Sequence, residues 1–340
     1  IQIGQAVLVP FGRQGLINAF IVGFSDYLPG DFKAKKINKI LDETPLFSLK
    51  YLIILEWVAN YYCTDFVTVL NAALPMKLIE KNAKVALAVS LLKDDGENLT
   101  KRQKEILVLL KEKGKCSLIE FEELAKTTRT TMKKLEENGF IKIEEEYIYR
   151  NPLSIFKDVE TEPLFELAGE QITAYEGIKG KLRSQSPILL HGVTASGKTE
   201  VYFKLIKDVI DSGKNVLFLA PEIALASQLT KRLARKFGIK DVAIWHSSIS
   251  DGEKYDVWQR LFKNEIKILA GARSAVFAPL QNIGLIIIDE EHESAYKQTN
   301  PAPRLPARGV GRRPPPIHQG PLFLRSGTTY NFSLFFTTKK

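Results

Sequence analysis

Two short stretches carry the residue types that handle a polyphosphate. Gly192-Val193-Thr194-Ala195-Ser196-Gly197-Lys198-Thr199 sets two glycines, a lysine and a hydroxyl at the spacing GxxxxGK[ST]. The glycines let the backbone curl, so that its N–H groups turn inward on phosphate oxygens. Lys198 then reaches the outer phosphates, and Thr199 offers a hydroxyl to Mg²⁺. The second stretch, Leu285-Ile286-Ile287-Ile288-Asp289-Glu290-Glu291-His292, is an apolar run ending in clustered charge, 91 residues from Lys198 to Asp289. A Mg²⁺ held through phosphates takes one or two carboxylates, and Asp289 is spaced for that. Glu290 would orient and polarise an attacking water. Each stretch has a bland account, a chance loop match and a solvated acidic turn. Together and in this order they point to ATP and Mg²⁺.

Elements must position these groups. Apolar runs at 188–191, 216–220, 242–245, 267–271 and 285–288 read as strands. Helical patterns near 199–211, 224–237 and 251–264 fall between them. This alternation predicts a single RecA-like α/β lobe with a parallel sheet over residues 163–300. The phosphate loop then lies between a strand and a helix, where the helix adds its positive end.

The front of the chain differs. Residues 1–75 read as a β-rich unit, with strands at Ala6–Val9 and Ile17–Gly23 around a turn-prone Pro10–Gly15, then a helix over 49–62. Residues 76–98 read as a linker. Residues 99–152 predict three short helices, the last stopping at Asn138-Gly139. A hairpin of Ile141–Ile143 and Tyr147–Tyr149 around Glu144–Glu146 follows, which makes a winged-helix pattern. Such units contact DNA through the third helix, or serve as structural or protein-binding modules. The acidic turn and Glu136-Glu137 disfavour phosphate contact.

The 340 residues are 45% hydrophobic and 26% charged, with a net charge of +9. Much of that charge is local: residues 301–340 hold seven Lys or Arg and no acid. The remainder has 41 basic and 39 acidic residues, so overall charge does not argue for a nucleic-acid partner. The same tail holds seven Pro and no sustained periodicity, and predicts an irregular, aberrant segment read out of frame. Cys63 and Cys116 stand apart and read as free thiols. No run approaches the ~20 apolar residues of a bilayer span, so a cytoplasmic chain without membrane contact is expected. The chain opens on Ile1 rather than Met, so further N-terminal sequence is expected to precede it.

Five stretches together resemble the bacterial replication-restart helicases of the PriA (primosomal protein N′) family. They are His191–Glu200, Ala220–Ala226 (APEIALA), His246–Trp258 (HSSISDGEKYDVW), Gly271–Pro279 (GARSAVFAP) and Leu285–Gln298 (LIIIDEEHESAYKQ). At the front, Gly4–Gly12 (GQAVLVPFG), Ile40–Pro45 (ILDETP), Trp57–Tyr62 (WVANYY) and Ala73-Leu74-Pro75 are similar to that family's DNA 3′-end-binding domain. The resemblance runs to residue 310. It implies ATP-driven 3′-to-5′ movement on DNA, with forked DNA carrying a 3′ end, single-stranded DNA, primosome proteins and single-strand-binding protein as partners. It also implies residue roles. Gln171 would contact adenine. Gly12 and Lys35 or Lys36 would hold the 3′ nucleotide. Arg273 and Ser274 would lie near DNA phosphate, and His292 would couple the nucleotide site to DNA. Tyr296, Lys297 and Arg304 would belong to a DNA-sensing loop.

Some positions depart from the family. Ala195 and Ala272 stand where Gly and Thr are usual, and Leu305 where an aromatic is usual. The zinc that the resemblance implies needs cysteines this chain lacks, and no second lobe with an arginine finger is recognisable. A truncated member is expected, with weak nucleotide binding and little or no hydrolysis. The alternatives are another P-loop superfamily 2 translocase subunit, and a non-catalytic fragment that only binds DNA or nucleotide. APEIALA and GARSA favour the helicase reading.

Overall fold

Backbone pairing starts within ten residues of the first residue. The computed structural model describes residues 1–12, 15–27, 34–74, 85–94, 99–147, 152–153, 161–181, 187–193, 196–293, 296, 322–327 and 333–335. Strand β1 (Ala6–Pro10) pairs antiparallel with β2 (Leu16–Phe20) and with β3 (Lys39–Ile40). Helix α1 (Leu49–Tyr61) follows, capped by Ser48 and buried along Tyr51, Leu52, Leu55, Val58 and Ala59, the stripe its periodicity predicts. A second helix, α2 (Phe66–Ala73), is not foreseen. It is two turns long, and its β-branched Val67, Thr68 and Val69 read as strand formers. Asp65 decides the outcome, its carboxylate accepting the Thr68 N–H at 2.8 Å as an N-cap.

The chain forms two compact units: Ile1–Lys81 with Asn151–Lys340, and Asn82–Arg150. The 3-stranded front and the α/β lobe thus form one unit instead of separate bodies. Leu46 and Phe47 are buried, and the Leu46 carbonyl accepts the indole N–H of Trp258 at 2.6 Å. Tyr51 Oη donates to the Phe277 carbonyl at 2.5 Å. Burial pushes the Tyr51 phenol far above its ordinary pKa, so it remains a donor.

In the lobe, α6 (Glu170–Lys179) leads to β7 (Ile188–His191), α7 (Lys198–Asp211), β8 (Asn215–Leu219), α8 (Ile223–Phe237), β9 (Val242–Trp245), α9 (Asp251–Phe262), β10 (Ile268–Gly271) and β11 (Ile283–Ile288). A 3₁₀ helix, Arg273–Phe277, lies between β10 and β11. Strands β8, β9 and β10 are buried at every residue, as expected of parallel strands covered on both faces. The predicted strands and helices of the lobe are all present, with ends within two residues.

The tail corrects its sequence reading. Leu322–Gly327 is a strand, β12, parallel to both β11 and β7. Ser333–Phe335 is β13, antiparallel to β7. The sheet order is β13-β7-β12-β11-β8-β10-β9, so its outer strand makes it mixed rather than purely parallel. Proline density hid a short apolar run, Leu322-Phe323-Leu324, which suffices for a strand where two parallel neighbours supply the pairing. The rest of 301–340 lies outside the described residues.

The second unit also differs from expectation. Helices α3 (Lys101–Lys113), α4 (Leu118–Leu124) and α5 (Arg129–Glu137) form where predicted. They pack Ile106, Leu107, Leu110, Phe121, Met132 and Leu135 into one core. The expected hairpin is absent from the described residues; 148–150 lie outside them. Instead β6 (Ile141–Tyr147) runs through the three glutamates and pairs antiparallel with β4 (Val85–Leu91), which falls in the supposed linker. Strand β5 (Cys116–Ser117) pairs with β4 on its other edge. Consecutive glutamates lack the turn-forming chemistry of Gly, Asn or Asp. Glu144 is held in the strand by the ammonium groups of Lys142 at 2.7 Å and Lys115 at 2.9 Å. Hydrogen bonds to these lysines hold its carboxyl down at about 2.

His246, in the HSSIS stretch, is buried, and its Nδ1 accepts the Ser248 N–H at 3.2 Å. Desolvation, and then Lys254, lower its pKa, outweighing the opposing Glu253. The folded state therefore binds fewer protons than the unfolded one. Stability should be full above the unfolded histidine pKa of about 6.5 and fall as pH drops through it. Urea unfolding of His246→Gln between pH 7.5 and 5.5 should show a flatter pH dependence than the parent; an equal slope would refute the assignment.

Candidate functional site

Strands β7, β8 and β11 are parallel, so their carboxyl ends share one edge of the sheet, where α/β folds place ligands. The loop after β7 runs into α7, and Asp289 and Glu290 follow β11 directly. One strand, β12, separates β7 from β11.

Lys198, the first residue of α7, is buried. Its Nζ donates to the Gly192 carbonyl at 2.7 Å and the Val193 carbonyl at 3.3 Å, and lies 3.8 Å from Glu290 Oε1. The phosphate-loop lysine and the acid of the second stretch therefore meet, although 92 residues apart in sequence. Thr199 follows in the first turn of α7, and Asp289 Oδ1 lies 3.4 Å from Tyr202 Oη, one helical turn on from Lys198. Glu290 is one of few non-glycine residues with positive φ among the described residues, at 45°. Such backbone costs about 1–2 kcal/mol and marks a side chain held in a set direction.

Gly197 caps α7 in the left-handed region, φ 82°. A Cβ there would lie 2.1 Å from Gln171 Nε2, which donates to the Ser196 carbonyl at 3.1 Å. Gln171 thus lies against the loop, at Ser196 and Gly197. Gly197→Ala should cost about 1–2 kcal/mol of stability through backbone strain and push Gln171 off Ser196. Chemical denaturation checks this; an unchanged midpoint counts against the geometry.

The loop suits a phosphate. Ser196 Oγ is buried without a protein partner, a hydroxyl that a polar ligand would satisfy. Together with the α7 N-terminus, Lys198, Thr199 and one carboxylate, it matches what a magnesium-bearing triphosphate needs. Zinc has no such support: among the described residues no group of three or more His, Cys, Asp or Glu could hold a metal, and neither Cys63 nor Cys116 is in a disulfide.

The remaining predicted residues are dispersed. Arg273 and Ser274 open the 3₁₀ helix, with Ser274 exposed. His292 is exposed, with ring nitrogens 3.5 Å from Glu290 Oε2 and 3.6 Å from Glu293 Oε1. Gly12, Lys35 and Lys36 are exposed. Tyr296 is fully buried, and its Oη lies 2.7 Å from the Asp289 carbonyl and 3.0 Å from that of Leu219. Thr194, Ala195, Lys297 and Arg304 lie outside the described residues. The sequence reading missed Tyr202, though its i+4 spacing from Lys198 puts both on one helix face.

A largely parallel sheet with a glycine-loop lysine and an Asp-Glu turn at its carboxyl edge defines the class: a P-loop α/β lobe of helicase type. Family models match in two places: the 3′DNA-binding domain (3′BD) over residues 1–75, and the type III restriction enzyme res subunit over residues 164–305. Curated relatives include the replication restart protein PriA of Synechocystis sp., 32% identical over 96% of this chain and 49% of that protein. The Bacillus subtilis PriA is 33% identical over 96% of this chain and 50% of its own length. Among solved structures, RecG bound to a three-way DNA junction is 27% identical over 48% of this chain and 21% of that one, with a TM-score of 0.37. The chain belongs to the PriA family of replication restart proteins, and spans about half the length of the curated relatives it matches. No described helix is long and apolar enough to cross a membrane.

Proposed function

We propose that this chain carries the DNA-end-binding and ATP-binding parts of an ATP-dependent 3′-to-5′ DNA helicase that acts in replication restart. The observation that carries this reading is the approach of Lys198 to Glu290, at 3.8 Å, beside a glycine loop of phosphate-binding spacing. Magnesium and ATP, when bound, supply the phosphoryl group that is transferred to water. Loop N–H groups and Lys198 hold the phosphates, and Gln171 flanks the adenine side. Thr199 and Asp289 sit on the metal side. Glu290 orients the water, and its acceptor oxygen is kept in place by Lys198. His292, beside Glu290, relays DNA contact to this centre, with Arg273 and Ser274 on the DNA phosphates. Gly12, Lys35 and Lys36 take the free 3′ end, for which the match to the 3′DNA-binding domain over residues 1–75 is the support. The second unit serves as a winged helix. The substrate is forked DNA with a 3′ end or single-stranded DNA; primosome proteins and single-strand-binding protein are the partners.

Fluorescence titration of the 340-residue chain with forks that carry or lack a free 3′ end, with and without a non-hydrolysable ATP analogue, tests this reading. Preference for the free 3′ end and saturable analogue binding are expected. Equal affinity for all ends together with no analogue binding would defeat it.

A further inference from the structure

The carboxylate tip of β11 is gripped from two sides by buried tyrosines that phosphate chemistry does not itself require. Tyr202, on α7, is 1% exposed and presents Oη 3.4 Å from Asp289 Oδ1. Tyr296, fully buried, shares its single proton between the carbonyls of Asp289, at 2.7 Å, and Leu219, at 3.0 Å. Leu219 ends β8, so this one hydroxyl ties the carboxyl ends of β8 and β11 together. The Asp289 N–H also donates to the Leu219 carbonyl, at 3.0 Å.

We propose that Tyr202 and Tyr296 are positioning residues for Asp289, fixing the direction in which its carboxylate meets the magnesium shell. This rests on the nucleotide-site reading above. Two features separate the role from plain packing. Each tyrosine sets a polar atom on the same residue, one on its side chain and one on its backbone. The backbone after Asp289 then enters the left-handed turn at Glu290, φ 45°, where a free chain would relax. Tyr296 holds Asp289 on the strand side of that turn. Tyr202 meets the Asp289 carboxylate at Oδ1, from the α7 side. Groups behind a metal ligand govern its orientation, and their loss typically costs 10–100-fold in metal affinity. The 2.7 Å bond is the stronger of the two, so Tyr296 should matter more than Tyr202.

The test is the Mg²⁺ dependence of binding of a fluorescent ATP analogue to the 340-residue chain. Tyr296→Phe should raise the Mg²⁺ concentration for half-maximal tightening about tenfold, and Tyr202→Phe by about threefold. Binding in EDTA should match the parent, because phenylalanine keeps both rings in the core, including the edge-on contact of Tyr202 with Phe218. In an Asp289→Asn background the Tyr202→Phe effect should vanish, since it acts through the carboxylate. Parental Mg²⁺ dependence in both variants, or an equal loss with and without Mg²⁺, overturns the proposal. If the parent itself binds the analogue with no Mg²⁺ response, the nucleotide-site reading falls, and this inference with it.

Discussion

Replacing Lys198 by alanine should weaken binding of an ATP analogue about a hundredfold, close to the ~3 kcal/mol of a strong hydrogen bond to a charged group. Lys198 is buried at the head of α7 and already turned toward the loop, with Nζ on the Gly192 and Val193 carbonyls. It also faces Glu290 at 3.8 Å. Its removal takes the cation from the phosphates and one basic neighbour from the acid. The folded chain should survive, because the loop carbonyls can turn to water. Lys207→Ala is the matched control: Lys207 lies exposed on the same helix, with its ion pair to Asp211 four residues on. Titration of both variants decides the matter. Equal affinities would show that phosphate is not held at this loop.

The parts of this molecule legible in the sequence are those fixed by local pattern. Buried parallel strands announce themselves as apolar runs, so β7 to β11 are found at nearly their true limits. The glycine loop and the Asp-Glu pair are legible because phosphate and metal chemistry admits few residue types. Pairing between distant segments was not legible. β4 looks like a linker until β6 lies beside it, and β12 shows in sequence only three apolar residues in a proline-rich tail. The burial of Tyr296 was hidden for a related reason: it depends on strand ends at Leu219 and Asp289 that sequence does not bring together. The union of the front with the lobe was equally hidden, since it rests on Leu46, Phe47, Tyr51 and Trp258 meeting across more than 200 residues.

That union makes Trp258 the residue whose loss should cost the first unit most. Trp258 is fully buried on α9, edge-on to Tyr51 and tilted against Trp245. Its indole N–H donates to Leu46 at 2.6 Å. Truncation to alanine removes a large ring that few neighbours can collapse to replace, at about 3–5 kcal/mol. It also strands the Leu46 carbonyl, which adds to the cost. Against the 5–15 kcal/mol that typically holds a domain, about 4 kcal/mol is a large share, and should lower the melting temperature by roughly 8–16 °C. Trp258→Phe keeps most of the ring and loses the donor, so it should recover more than half of that drop. If instead the phenylalanine variant melts as low as the alanine variant, the hydrogen bond rather than the packing holds the front to the lobe. If neither melts lower than the parent, the two do not share a core in solution. The 3′-end-binding segment would then swing independently of the nucleotide site, and any response of one to the other would have to pass through DNA.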